Sequence, residues 1–126
     1  MEFKEYYISN NKGKSNCVIR TICKLLNNDY EEIEEKLLYI SKKMNCKSYT
    51  EIEVFEKFLN NNGYFKMNVK DEIQIKNLNL ANGKYAVLCY DKNDYYHMIG
   101  IIDNVIYDKD DRCLDLYTIN IYKRME

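Results

Sequence analysis

The sequence has few of the residues on which several common functions depend. It contains one histidine, four glycines and no proline or tryptophan among its 126 residues. Neither a GxGxxG nor a GxxxxGK pattern occurs, so no loop for cradling a phosphate is predicted. A run of about 18 apolar residues is also missing, and residues 1–16 contain no apolar segment of the signal-peptide kind. We therefore expect a cytoplasmic protein without a membrane span.

Charge of one sign is not in excess either. The chain has 19 basic and 20 acidic residues, which give a net charge of −1. A dedicated nucleic-acid-binding protein usually shows a basic excess or a basic stripe, so no nucleic-acid partner is expected. With 46% hydrophobic and 31% charged residues, the composition is that of a globular chain. The length predicts one domain over residues 1–126.

The five cysteines point to reduced thiols. Their number is odd, and no export signal is expected, so a disulfide framework is not expected either. No CxxC pair occurs, and the cysteine spacing fits no zinc motif, so the sequence predicts neither a metal nor a cofactor. Because His97 is the single histidine, any reaction that needs an imidazole must use it.

Three segments in the first half of the chain show the apolar spacing of helices. The first, CVIRTICKLL, begins at Cys17 after Ser15 and Asn16, two residue types favoured at N-caps. The second ends near Met44, and the third opens on a capping box over residues 50–53. Residues 1–16 are polar and are predicted to be irregular.

The second half alternates in the manner of strands. Strands are predicted over residues 85–90, 97–102 and 105–107, with Asp103-Asn104 as a two-residue hairpin turn, and a last strand over residues 113–122. Helices followed by strands indicate an α+β fold. We expect N-terminal helices packed on a C-terminal antiparallel β-sheet.

Cys17 is the candidate nucleophile. A thiol is a weak nucleophile at its usual pKa of about 8.5, and a helix N-terminus or a nearby imidazole activates it. Cys17 is the one cysteine predicted at a helix N-terminus, where the helix dipole favours the thiolate. Cys23 and Cys89 lie in apolar segments typical of a core, and Cys46 and Cys113 lie in or near predicted loops.

His97 and Asp108 are expected to meet across the predicted hairpin. His97 opens an apolar strand directly after a polar turn, so it should lie at the rim of the sheet. If positions 103 and 104 form the turn, Asp108 is the diagonal neighbour of His97 on the same face. Asp110 and Asp111 are alternatives for orienting the imidazole. Asp103 lies at the far end of the hairpin and is ranked last.

An oxyanion donor and two other kinds of site complete the candidates. Asn11, six residues before Cys17, is the best candidate for an oxyanion donor beside the Cys17 backbone N–H, followed by Asn10. The acidic run Glu31–Glu35 is typical of a solvated helix face. The aspartates at positions 108, 110 and 111 lack the EF-hand pattern for Ca²⁺.

The order of these residues resembles that of papain-like cysteine peptidases. More closely, the sequence is similar to small bacterial and phage cysteine-peptidase-like proteins with an N-C-V-x-R-A-I-type helix and an H-x-x-x-I-x-D-G-x-x-Y-D-type hairpin. The matching segments here are Asn16–Ile22 and His97–Asp108, and Gly83–Val87 looks like the strand that precedes the hairpin. Two departures are Asn104 for the usual glycine, and KDD for Thr-Trp-Asp after Asp108. The missing aromatic residue predicts either a more open site or an altered activity.

The resemblance implies a papain-like fold and a thiol mechanism. Cys17 would be the nucleophile, His97 the general base and acid, Asp108 the group that orients His97, and Asn11 the oxyanion donor. The substrate would be a protein or peptide, cleaved at a peptide or isopeptide bond. Two alternatives stay open: a non-catalytic phage or mobile-element protein that binds a host protein, and an amidase or deamidase with the same triad.

Overall fold

Within the residues that the structure describes, three α-helices and one six-stranded sheet make up the fold. The computed structural model describes residues 1–7, 16–69 and 72–125. The helices are α1 (Cys17–Leu26), α2 (Tyr30–Lys43) and α3 (Ile52–Asn61). The strands are β1 (Glu2–Glu5), β2 (Tyr64–Lys66), β3 (Lys84–Tyr90), β4 (Tyr96–Ile102), β5 (Val105–Asp108) and β6 (Tyr117–Arg124). These helices and strands confirm the predicted α+β class.

No helix in the described ranges is long and apolar enough to cross a membrane.

Local sequence signals fix the ends of α1 and α2. Helix α1 stops at Asn27, which adopts a left-handed conformation (φ 57°) that asparagine tolerates better than most residues. At the start of α2, the Asp29 side chain accepts a hydrogen bond of 3.0 Å from the Glu32 backbone N–H. This bond satisfies one of the amides that a helix start leaves without a partner.

The predicted capping box of α3 is wrong. The N-cap is Glu51, and no side chain caps the helix. The Glu51 carboxylate instead accepts from the Ser48 backbone N–H at 3.1 Å, and the Thr50 hydroxyl bonds the Ser48 hydroxyl at 2.8 Å. These polar side chains order the preceding loop, because local side-chain-to-backbone bonds compete with helix capping.

The sheet is mixed, which corrects the expectation of an antiparallel one. The strand order is β1-β5-β4-β3-β6-β2, and β1 runs parallel to β5 while the other pairs are antiparallel. Residues 2–5 were predicted to be irregular, yet they form the edge strand β1. Their sequence, EFKE, offers one apolar side chain, Phe3, which packs against the core. The strand therefore depends on the free edge of β5 more than on its own pattern.

The β4–β5 hairpin has the predicted register. Asp103 and Asn104 have φ values of 47° and 65°, as a two-residue turn of this kind requires. Ile102 pairs with Val105, so the rest of the ladder follows the sequence prediction. The predicted start of the last strand at Cys113 is wrong, because Cys113 lies in a short 3₁₀ helix, Asp111–Asp115, and β6 begins at Tyr117.

Two groups of buried side chains cover the two faces of the sheet. One group joins the three helices to Ala86, Leu88, Met98 and Tyr122. The other lies on the opposite face and is built from alternate residues of β3 and β4 with Ile75 and Cys113, among others. Burial on both faces explains why β3 and β4 are almost continuously apolar in sequence.

Candidate active site

The docking of α1 on β4 brings the three candidate residues together. Strand β5 pairs with β4 only as far as Gly100↔Tyr107. Beyond that pair, the Thr21 hydroxyl of α1 donates to the Met98 carbonyl at 3.1 Å. The first residue of α1, Cys17, therefore lies beside the start of β4, where its thiol and the His97 side chain influence each other's pKa.

Asp108 holds the His97 imidazole through one nitrogen. The distance from His97 Nε2 to Asp108 Oδ2 is 2.6 Å, and the two side chains are only 6% and 3% exposed. Because a carboxylate accepts hydrogen bonds, Nε2 carries a proton and Nδ1 is the nitrogen left for the Cys17 thiol. The diagonal placement across the hairpin is thus the one that the turn predicted.

The alternative carboxylates have other positions. Asp110 accepts from Arg112 at 2.7 Å, Asp111 is exposed, and Asp103 accepts from the Gly83 backbone N–H at the far end of the hairpin. Among the described residues, no group of three or more acidic, histidine or cysteine side chains is placed to hold a metal ion. Asp108 is therefore the carboxylate in contact with the imidazole.

Arg20 is a buried member of this cluster that the sequence analysis did not select. Its Nη2 donates to Asp108 Oδ1 at 2.9 Å, and both side chains are 3% exposed. The Lys109 backbone N–H also donates to Oδ1, at 2.8 Å. The sequence feature that could have identified Arg20 is a basic residue among the apolar residues of α1, three residues after Cys17. A charge on a buried face requires a partner of opposite sign.

The pKa values of Cys17 and His97 are both shifted in the direction that favours the charged side chain. Burial opposes ionisation of the Cys17 thiol, but the hydrogen bond and charge of His97, with a Met98 backbone N–H, outweigh it and lower the pKa. Burial likewise opposes protonation of His97, yet its hydrogen bonds with Asp108 and Cys17 raise its pKa to about 9. Both shifts favour the ionised form of each group, a thiolate at Cys17 and an imidazolium at His97.

The other four cysteines, all within the described residues, have raised pKa values. Burial raises the pKa of Cys23 to about 11, assisted by nearby acidic groups. Burial is also the main cause of the upward shifts of Cys46, Cys89 and Cys113. Cys17 is therefore the one thiol whose surroundings favour its ionised form.

An aromatic ring stacks against the imidazole. The Tyr95 and His97 ring centroids lie 5.8 Å apart with 17° between their planes. The Tyr95 hydroxyl lies 3.4 Å from His97 Nδ1, and the residue is 52% exposed. Tyr95 comes from the turn before β4, so this aromatic contact is supplied by a segment other than the one that follows Asp108.

A small cavity lies beside the candidate residues, and a larger one lies elsewhere in the molecule. The cavity beside His97 and Asp108, on the side of the 3₁₀ helix, measures about 60 Å³, room for water but not for a substrate. A larger cavity of about 490 Å³ lies between α2 and α3, away from all three candidate residues. Asn11 and Asn10 lie outside the described residues.

Comparisons of the chain with protein-family models, with curated proteins and with solved structures find no match.

Proposed function

We propose that the protein is a papain-like thiol hydrolase or acyl transferase, with Cys17 as nucleophile, His97 as general base and acid, and Asp108 as the orienting carboxylate. The observation that carries the proposal is the buried 2.6 Å contact of His97 with Asp108 beside Cys17, the one thiol whose pKa is lowered, with the His97 side chain as the main cause of that lowering. A nucleophile, a base and a group that orients the base are the parts that covalent acyl transfer needs.

The reaction would run in two stages. His97 Nδ1 holds the proton taken from Cys17, and the thiolate attacks the carbonyl carbon to form a C–S bond and an oxyanion. His97 then gives the proton to the leaving amine as the C–N bond breaks, which leaves an acyl-enzyme. Water, or another acceptor, attacks the acyl group after losing its proton to His97, and Cys17 is regenerated. Asn11 stays the proposed side-chain donor to the oxyanion.

A peptide or isopeptide bond of a protein is the proposed substrate. A helix that starts with the nucleophile, followed by a hairpin that carries the base and its carboxylate, supports the papain-like reading of the α+β fold. An amide side chain would undergo the same chemistry, so deamidation is separated from peptide cleavage by the products alone.

Selective alkylation tests the proposal without a known substrate. Iodoacetamide at about pH 6 should label Cys17 and spare the other four thiols, as read by peptide mass spectrometry, because a depressed pKa maintains the thiolate there. His97→Ala should abolish this selectivity. Labelling of all five thiols together, and only as the pH approaches about 8–9, would overturn the proposal.

A profile of host lysate then addresses activity and substrate together. Wild-type protein should change the abundance or mass of specific host proteins, and the Cys17→Ala variant should leave them intact. A Cys17→Ala variant that keeps the full biological effect would instead support the non-catalytic binding alternative.

A further inference from the structure

The residue before Cys17 is an N-cap that does not cap. Asn16 occupies the N-cap position of α1, but its side chain makes no capping hydrogen bond to the helix. Asparagine is among the residues most favoured at this position, where its oxygen usually accepts from the second or third amide of the helix. Asn16 is only 9% exposed, so its side chain is held by other groups.

Two tyrosines hold the Asn16 amide. Asn16 Nδ2 donates to the Tyr30 hydroxyl, and the Tyr49 hydroxyl donates to Asn16 Oδ1 at 2.8 Å. Tyr30 begins α2 and Tyr49 lies in the loop before α3, so both are remote in sequence. Burial, followed by the neighbouring Tyr49 and Glu34, raises the pKa of Tyr30 to about 12. Burial is also the main cause of the raised pKa of Tyr49, so both hydroxyls stay protonated at neutral pH.

Among the residues that the structure describes, this arrangement leaves the first turn of α1 without a side-chain cap. The oxygen that would accept from Val18 or Ile19 is occupied by Tyr49. Unpartnered first-turn amides and the helix dipole attract negative charge. Cys17, which precedes both residues, is where a thiolate forms in the proposed mechanism. A capping side chain would compete for these amides and lower their effect on that charge.

We propose that Tyr49 and Tyr30 are positioning residues for Cys17, which hold the Asn16 side chain away from the first turn of α1 so that its amides face the thiolate. The part concerning the thiolate rests on the proposed function. The restraint on Asn16 and the uncapped first turn are features of the fold and are measurable by themselves.

Tyr49→Phe tests the inference, with Tyr39→Phe as its control because Tyr39 is 62% exposed on α2. Loss of the Tyr49 hydroxyl frees Asn16 Oδ1 to cap α1. Amide hydrogen exchange of Val18 and Ile19, followed by NMR, should slow by about two- to fivefold, and alkylation of Cys17 near pH 6 should slow by a similar factor. The control should change neither rate.

A second substitution separates positioning from simple structural support. In the Tyr49→Phe background, Asn16→Ala removes the side chain that would cap the helix, so Cys17 alkylation should return toward the wild-type rate even if the melting temperature falls. A merely structural Tyr49 predicts that the double variant stays slow. Tyr30→Phe, which leaves the Tyr49 bond in place, should give a smaller effect in the same direction.

The outcomes distinguish this inference from the proposed function. Unchanged amide exchange and alkylation in Tyr49→Phe, or a double variant as slow as the single one, would overturn the inference while the proposed function stands. Ordinary thiol behaviour of wild-type Cys17 would overturn the proposed function, and amide exchange would still decide whether the tyrosines control Asn16.

Discussion

Two cysteines lie next to His97, and their surroundings shift the thiol pKa in opposite directions. Cys89 pairs with His97 across β3 and β4, and its thiol lies 3.3 Å from the His97 backbone oxygen. Cys17 reaches the imidazole from the first residue of α1. Burial and nearby negative groups raise the pKa of Cys89, whereas the hydrogen bond to the imidazole overcomes burial at Cys17. Nearness to a histidine is thus insufficient, since a thiol is activated by the ring and a helix N-terminus rather than by a backbone carbonyl.

The largest expected effect is the loss of turnover in Cys17→Ala, for which Cys89→Ala is the matched control. Cys17→Ala should reduce turnover of a substrate found in lysate by about 10⁴-fold or more, because the covalent step is lost. Cys89→Ala should keep turnover and lower stability by about 1 kcal/mol through the lost core contacts. Equal losses of turnover in the two variants, at equal folded fraction by circular dichroism, would erase the distinction between the thiols.

Removing the charge of Asp108 should alter the pH range of reactivity. In the proposed mechanism, the thiolate–imidazolium pair exists between the lowered pKa of Cys17 and the His97 pKa of about 9. Asp108→Asn removes a cause of the raised His97 pKa, so the alkaline limb of turnover should move below pH 9 and the rate should fall by about 10²-fold or more. Asp110→Asn is the control. An alkaline limb that stays in place in Asp108→Asn would show that the carboxylate does not tune the imidazole.

Arg20 should matter mainly for stability. Arg20→Ala leaves Asp108 without its buried cation, and unfolding in urea should show a loss of about 3 kcal/mol. The matched control is Arg112→Ala, which breaks the Asp110 pair at a side chain that is 81% exposed and should have no measurable effect. Similar losses at the two arginines would contradict the role given to the buried pair.

The smallest effect is expected at Tyr95. Tyr95→Phe keeps the ring against His97 and removes a hydroxyl 3.4 Å from Nδ1, so turnover should change by no more than about threefold. Tyr95→Ala also removes the stacked ring, worth about 0.5–1.5 kcal/mol, and should reduce turnover further. The two variants are compared by kcat/KM, and a larger loss in Tyr95→Phe than in Tyr95→Ala would be inconsistent with stacking as the main contribution.

The sequence predicts those parts of the fold and the site that depend on local signals. Helical spacing located the three helices, and the turn at Asp103-Asn104 fixed the register that places Asp108 diagonally across from His97. Strand β1 was missed because EFKE carries almost no pattern and forms on the edge of β5. The 3₁₀ helix at Cys113 was missed because alternation continues through it in the sequence.

The supporting contacts of the site depend on packing between distant segments. Arg20 meets Asp108 only because α1 lies along β4, and Asn16 meets Tyr30 and Tyr49 only because α2 and the next loop close over the start of α1. Tyr95 reaches the imidazole from a turn whose course the sequence does not specify. No spacing rule in a single sequence encodes such contacts, although the cation in α1 did signal a buried partner.

Titration of the single histidine by NMR tests the central claim most directly. Because the chain has one histidine, the imidazole ring signals in the spectrum belong to His97. In wild-type protein the His97 ring should be an imidazolium at pH 7 and titrate at about 9, and Cys17→Ala should lower that midpoint since the thiolate is lost. A ring that is neutral at pH 7, with a midpoint near 6.5 that Cys17→Ala leaves unchanged, would contradict the paired thiolate and imidazolium.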